Sequence, residues 1–384
     1  MAVKTNINAK VNYIVYFALG VIVFTFLCWL IHSYNFQRQI VNAKPYINTS
    51  LTPNIGSPKT YTWIVNMYPP KNNAGAEMMA HAINTFLVRE SNAKVNVILN
   101  ERQEVENYER VNLIWRGDEE RRVKAIESSQ LLLSHLDNEP NAITTCVIGK
   151  KPLVLVMHNS FRMKFLKEFK KILPNNLYLI HNSEWIKKYY EPLGIPSIVV
   201  YPPVSWQDYS VTSSKEFVSL INMNQNKGGN IFLEICKRMP DVRFLGVKGA
   251  YDKQLIEPLK NLVLIDNTPQ IKEVYSRTGI LLMPSKYESW GRTAVEAMSS
   301  GIPVIAHPTP GLLESCGKAG IFCDRDNIDS WIKEIRKLKT DSSYYEEKSK
   351  ACIARARELD PEPQLESMSK WLEEIQWKEN TISQ

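Results

Sequence analysis

From about residue 60 onward the chain repeats one pattern: a short apolar run, a loop, then an amphipathic segment. Such alternation marks parallel strands whose crossover helices cover both faces of a sheet. The pattern predicts strands over 60–67, 94–99, 111–115, 153–157, 177–181 and 197–201, with helices over 74–89, 119–137, 161–172 and 183–190. Tyr201-Pro202-Pro203 interrupts it, as prolines do at a boundary. A second set then begins, with strands over 216–221, 242–245, 262–265, 280–283, 303–306 and 320–322. Its helices are expected over 228–238, 271–276, 292–300, 311–315 and 329–338, and an amphipathic helix over 364–377 follows Pro361 and Pro363. The expected fold class is therefore α/β, two doubly wound parallel-sheet domains of Rossmann-like type facing a cleft. They are placed at 60–203 and 204–357, with a C-terminal helix and tail over 358–384. Ligands of such sheets bind at the carboxyl ends of the strands, so the cleft is where a site is expected.

Composition agrees with two self-sufficient cores. The 384 residues are 44% hydrophobic and 23% charged, which are globular values. The six cysteines form no Cys-x-x-Cys pair, and no histidine stands at zinc-ligand spacing from them. Reduced thiols are expected rather than a disulfide framework or a zinc site. A net charge of +7 does not call for nucleic acid.

The N-terminus reads differently. Residues 13–31 form an uncharged apolar run with Tyr13, Tyr16, Trp29 and Tyr34 near its ends. As a helix it would be about 28 Å long, enough to span a bilayer core, with its aromatics at the interfaces. It ends in Cys28-Trp29-Leu30-Ile31 rather than in the small residues of a signal-peptidase site. A retained single-pass anchor over 1–34 and a polar stalk over 35–59, with Pro45, Pro53 and Pro58, are expected. Orientation is open from the flanking charges. Free cysteines and a basic helix favour the cytosolic face for the globular part; the sequon at Asn48 would be used only on the lumenal side.

The most informative stretch runs from Met283 to Ala306. A strand ends near Met283, a loop carries Glu288, and Gly291 opens a helix. Free N–H groups of Gly291, Arg292 and Thr293 at that helix start favour an anion such as a diphosphate, and a glycine lets the backbone approach it. Glu296 lies about one turn further in, where a carboxylate can accept ribose hydroxyls. Glu288 lies on the side towards which a phosphate-linked sugar would extend. Two isolated glutamates would otherwise be an N-terminal helix charge and a solvated face.

Glu288-x7-Glu296, followed by Ala297-Met298, Gly301 and Pro303-Val304, resembles the Glu-x7-Glu signature of retaining GT-B glycosyltransferases of family four. His307 to Glu314 and Gly317-Lys318-Ala319-Gly320 are similar to that family's following loop, short helix and turn. The resemblance covers about 216–340 well and the N-terminal domain less. It implies a nucleotide-sugar donor, UDP- or GDP-linked, in the C-terminal domain. It also implies an acceptor held by the N-terminal domain, retention of anomeric configuration, and no metal or other cofactor. By the same resemblance Glu296 holds the donor ribose and Glu288 lies beside the donor sugar as a catalytic residue. Lys227, in the loop after 217–221, matches a lysine that contacts the diphosphate, while Asn222 stands where the family has arginine. Either Arg292 or another base compensates, or activity is weak. Asn73-Ala74-Gly75-Ala76-Glu77 resembles the family's Gly-Gly-Ala-Glu loop, which brings Gly75 to the donor phosphate; a plain helix start is the alternative. His158 matches the strand-end histidine near the reacting sugar, where it would orient hydroxyls; a structural histidine is the alternative.

Three further features admit more than one reading. His181 at the next strand end is equally a cleft or a core residue, and Ser183 is expected to cap a helix. Asp324-Arg325-Asp326 imitates a metal motif but sits where a loop and cap are expected. In 161–173, Phe161, Phe165, Leu166, Phe169, Ile172 and Leu173 share one helical face and five basic residues occupy the rest. That face either packs in the core or lies on an anionic leaflet. The sequence-level expectation is a membrane-anchored retaining glycosyltransferase, a hexosyltransferase in type. It would act on a lipid-linked, glycan or protein acceptor, with the membrane but no nucleic acid as a partner. A catalytically impaired sugar-nucleotide scaffold is the alternative, and a GT-B-fold epimerase a further one.

Overall fold

A computed structural model describes residues 58–379 except Tyr251. The expected anchor and nearly all of the stalk lie outside the described residues. Among the described residues no helix is long and apolar enough to cross a membrane.

The N-terminal domain is laid down as β1 (Thr60–Val65), α1 (Gly75–Glu90), β2 (Lys94–Leu99), β3 (Asn107–Tyr108), β4 (Val111–Trp115), α2 (Glu119–Ser128) and β5 (Leu131–His135). It continues through α3 (Glu139–Gly149), β6 (Leu153–Met157), α4 (Met163–Ile172), β7 (Leu177–His181), α5 (Glu184–Tyr190) and β8 (Ser197–Val199). The sheet order is β3-β4-β2-β1-β5-β6-β7-β8. Every pairing is parallel except that of the short β3 on β4. Parallel strands buried on both faces read as continuous apolar runs, and β5, β6 and β7 are buried along their whole length. Helix α1 covers one face with Met79, Ile83, Phe86 and Leu87. Helices α2 to α5 cover the other, burying Ala125, Ile143, Cys146, Leu166, Phe169 and Ile186.

The second domain runs through α6 (Trp206–Tyr209), β9 (Phe217–Ile221), α7 (Gly229–Arg238), β10 (Phe244–Val247), β11 (Leu262–Ile265), α8 (Ile271–Tyr275) and β12 (Thr278–Met283). Then come α9 (Arg292–Ser299), β13 (Val304–Ala306), α10 (Pro310–Cys316), β14 (Ile321–Phe322), α11 (Ile328–Thr340) and α12 (Ser342–Glu358), after which α13 (Glu362–Glu374) returns to pack in the first domain's core. Its sheet is all parallel in the order β11-β10-β9-β12-β13-β14.

One predicted helix is wrong. The helix expected over 119–137 ends at Ser128, and its second half is β5. A five-residue apolar run suits a buried helix or a buried strand equally. Here Leu131–His135 pairs with β1 on one side and β6 on the other, and these ladders decide the outcome. Helices α3, α6 and α12 and the short strand β3 lie outside the sequence-based expectation. The five described cysteines are free and buried.

Candidate functional site

Both sheets turn the carboxyl ends of their strands towards one interdomain cavity of about 280 Å³. The N-terminal domain contributes Asn73 to Ala76 after β1, His158 after β6 and Asn182 after β7. The C-terminal domain contributes Asn222 after β9, Lys227, Lys248 after β10, and the β12–α9 loop with Ser285, Glu288 and Gly291 to Thr293.

Gly291 has φ of +102°, and a Cβ there would stand 2.6 Å from Leu312 Cδ2. Only glycine turns the chain into α9 at this point. No side chain caps the start of α9, so its first amides face the cavity that Gly291, Arg292 and Thr293 line. Gly228 takes φ of +89° against Pro284 in the loop that carries Lys227. The Lys227 ammonium donates to Glu288 Oε1 at 2.6 Å, and Ser285 Oγ donates to the same oxygen at 2.8 Å. Glu288 is 9% exposed. A buried carboxylate thus stands with one cation beside it at the rim of an anion-favouring helix start.

Gly75 opens α1, and a Cβ added there would meet nothing within 4 Å. The protein's own packing makes no demand for glycine at this position; the free space belongs to the cavity. His158 Nε2 lies 3.0 Å from His135 Nδ1, one ring donating to the other. Burial keeps both imidazoles neutral: His135 is pushed down to about 4, and His158 is held well below its ordinary value by burial and by His135 beside it. His135 escapes the sequence reading because its strand carries a helix expectation; a histidine closing the apolar run Leu131–Leu133 is the available signal, and in the structure its ring stands edge-on to Trp63.

Other expected residues are tied to partners of their own. Arg292 lines the cavity, but its guanidinium is engaged within the protein. Its guanidinium donates to Glu296 Oε1 at 2.7 Å, to the Pro203 carbonyl at 2.6 Å and to Tyr209 Oη at 2.8 Å. Glu296 is buried with its other oxygen accepting from Tyr275 at 2.8 Å, and it is not among the cavity-lining residues. The helix spacing carries the reason: Arg292 and Glu296 stand four apart on α9 and pair along it. The cation that lines the cavity next to Asn222 is Lys248, held by Asp266 at 2.7 Å. Asn222 itself sits at φ of +75°, its amide oxygen accepting from the Asn224 N–H.

His181 lies in the core, stacked on Tyr190, with burial pushing it down to about 4. Ser183 occupies the cap position of α5 but does not cap it. The Glu184 and Trp185 amides donate instead to the carboxylate of Glu314, from the other domain, at 2.7 and 3.1 Å. A carboxylate there satisfies two orphan donors and matches the helix dipole. Asn182 Nδ2 to Ser289 Oγ and Trp185 Nε1 to Ser289 O add two more interdomain bonds, and Asn73 Nδ2 to Asn267 Oδ1 a third. Asp324 accepts from the Asp326 amide within a loop, and Asn327 caps α11. Among the described residues no group of three or more His, Cys, Asp or Glu is arranged to hold a metal. The apolar face of 161–173 divides: Leu166, Phe169 and Leu173 are buried, whereas Phe161 is 70% and Phe165 48% exposed.

Residues 209–359 match the family described as Glycosyl transferases group 1. Among curated proteins, a stretch is 30% identical over 128 residues to the D-inositol 3-phosphate glycosyltransferase of Mycobacterium sp. (strain KMS), covering 29% of each chain. Another is 30% identical over 86 residues to O-antigen chain mannosyltransferase B of Escherichia coli, covering 22% of this chain and 23% of that one. The matches thus span less than a third of those relatives. The fold is similar to HepE of Anabaena, solved with UDP and glucose: TM-score 0.66, 14% identity, 83% of this chain and all of that one. It is likewise similar to sucrose-phosphate synthase from Thermosynechococcus elongatus, with TM-score 0.65, 14% identity and coverage of 82% and 98%. The two parallel-sheet domains are those of the GT-B fold.

Proposed function

We propose that the protein is a retaining, metal-independent glycosyltransferase moving a sugar from a nucleoside diphosphate, UDP- or GDP-linked, to a membrane-associated or glycan acceptor. The observation that carries the reading is the convergence on one cavity of Lys227, Glu288 and the open helix start at Gly291–Thr293 with Gly75 and His158 from the facing domain. The α9 amides, Lys227 and Lys248 would neutralise the leaving diphosphate, a fixed electrostatic stabilisation of developing charge. An acceptor hydroxyl would attack the anomeric carbon on the face the diphosphate leaves. The carbon–oxygen bond to phosphate breaks, and the hydroxyl proton passes to the departing phosphate oxygen. Glu288 would lie beside the developing positive charge on the sugar, and neutral His158 would orient its hydroxyls. Glu296 would act on the donor ribose or, through Arg292, hold α9 to the interdomain segment. The N-terminal apolar run would anchor the chain with its globular part on the cytosolic face. Exposed Phe161 and Phe165, near Lys164, Lys167 and Lys171, would rest against the leaflet.

The test is thermal unfolding of the full chain in detergent with uridine, guanosine, adenosine and thymidine diphosphates and their sugars. One nucleotide is expected to raise the midpoint, Lys227→Ala to abolish the shift, and Glu288→Gln to keep it while losing transfer. A nucleotide that binds without any transfer would favour the scaffold reading, for which Asn222 in place of arginine speaks. No shift with any nucleotide would overturn the donor site.

A further inference from the structure

A second hollow, of about 600 Å³, opens on the outer part of the N-terminal domain. Gln103, Glu106, Trp115, Asp118 and Arg121 line it, and its base includes Leu99. Leu99 and Trp115 are the last residues of β2 and β4. Because β1, β2, β4, β5 and β6 are parallel, this hollow lies on the same rim of the sheet as Gly75 and His158. Strand β4 is two places from β1, a lateral distance of about 10 Å.

The rim between the two cavities is polar. Asn66, Asn100 and Arg116 directly follow β1, β2 and β4. Asn100 Nδ2 donates to Asn66 Oδ1, and Arg116 donates to Asn100 Oδ1 at 3.3 Å. The row gives hydroxyl-compatible donors and acceptors along the line that joins the cavities.

Trp115 is 44% exposed, which is unusual for so large an apolar ring. Its six-membered ring lies against Gly117 so closely that a methyl group there would overlap it. One side of the indole is therefore backed by main chain while much of the ring stays open to solvent. The surrounding polar groups are also held. Arg121 donates to the Leu113 carbonyl at 3.2 Å and pairs with Glu106 at 3.2 Å. Gln103 donates to the Tyr68 carbonyl at 2.8 Å, yet its own Oε1 is buried with no hydrogen-bond partner in the protein.

We infer that this groove is an oligosaccharide subsite, and that the acceptor is a chain of sugars rather than a single small molecule. A pyranose has an apolar C–H face and a hydroxyl edge. The flat indole suits the face at little entropic cost, and Gln103, Asp118 and Arg121 suit the edge. The chain would run from Trp115 along Arg116, Asn100 and Asn66 to the cavity at His158. A lipid tail does not fit so polar a wall. Single-stranded nucleic acid would need several stacking rings, and Trp115 is the one aromatic residue in this lining. The direction of the chain rests on the glycosyltransferase reading; the binding itself does not.

The experiment is a glycan array of neutral and acidic oligosaccharides probed with the full chain in detergent. Calorimetric titration of the retained glycans against Trp115→Ala, Trp115→Phe and Gly117→Ala follows. Retention of glycans of three or more sugars is expected. Trp115→Ala should bind about three- to tenfold more weakly, Trp115→Phe should recover most of the loss, and Gly117→Ala should weaken binding by displacing the ring. Thermal midpoints should be unchanged in the Trp115 variants, because the ring is exposed. No retained glycan, or equal binding by Trp115→Ala, overturns the subsite. Nucleotide-induced stabilisation of the same variants separates the two readings. Trp115-dependent glycan binding with no nucleotide response would sink the donor site and leave the groove; the reverse would sink the groove alone.

Discussion

At position 75 a side chain would meet only the cavity. Gly75→Val is therefore expected to keep the thermal midpoint of the free protein and to lose the nucleotide-induced shift. Loss of the fold instead would show that the glycine serves packing. His181 makes a different prediction, because burial alone accounts for most of its shift. In the unfolded chain its imidazole titrates near 6.5, and in the folded chain near 4. The folded pKa is depressed, so the unfolded state binds the extra proton; stability is full above pH 6.5 and drains as pH falls towards 4. At about 1.4 kcal/mol per unit this is on the order of 3 kcal/mol. His181→Phe keeps the stack on Tyr190 and should flatten the fall of the midpoint between pH 6.5 and 4 relative to the parent. Glu139, raised to about 7 by burial, works in the opposite sense, which is why the comparison with the parent is diagnostic. An unchanged slope would mean that His181 is solvated. At this scale the strand-end histidine at 158 and the helix-start glycine at 291 were legible from position, and Lys227 from the family resemblance. The partners of Arg292 and Glu296 were not, because Pro203, Tyr209 and Tyr275 reach them from distant parts of the chain.

The elements show where periodicity suffices and where it fails. Strands β2, β4, β6 and β7 match the predicted bounds, since short β-branched and leucine runs between turn residues leave little choice of register. Helix α5 is the instructive case. Ser183 carries the local signature of a cap, yet the amides of α5 are capped from 130 residues away by Glu314. Local chemistry names a residue able to cap; the tertiary structure decides which acceptor arrives. Glu314→Ala is expected to cost about 1 kcal/mol in denaturant unfolding. It should also raise amide exchange in the first turn of α5 above that of the parent. Glu314→Gln, which keeps one acceptor oxygen but not the charge, should fall between. If Ser183→Ala cost more than Glu314→Ala, the cap would be local after all.

At the scale of the whole molecule the last helix matters most. Helix α13 follows the second domain in sequence, yet Leu365, Met368 and Leu372, with Ile375 just beyond it, are buried in the first domain's core with Tyr61 and Met79. Gln364 bonds to Tyr201 at the interdomain segment, and Asn176 bonds to Lys378. At about 1.5–3 kcal/mol for each buried side chain, removing residues after Asp360 forfeits as much as a whole domain's usual stability. That truncation is expected to leave the C-terminal domain folded and to abolish exchange protection across α1 and β1. Retained protection would show that the first domain stands alone. The sequence by itself determined the α/β class, the two sheets, the apolar strands and the glycine that turns the chain at 291, because hydrophobic periodicity and backbone sterics act over a few neighbours. Only the tertiary structure decided that 131–135 is a strand, that the C-terminal helix belongs to the first domain, and that the Arg292 guanidinium is held by Glu296, Pro203 and Tyr209. Those outcomes turn on ladders, burial and ion pairs between residues far apart in the chain, to which no local pattern is sensitive.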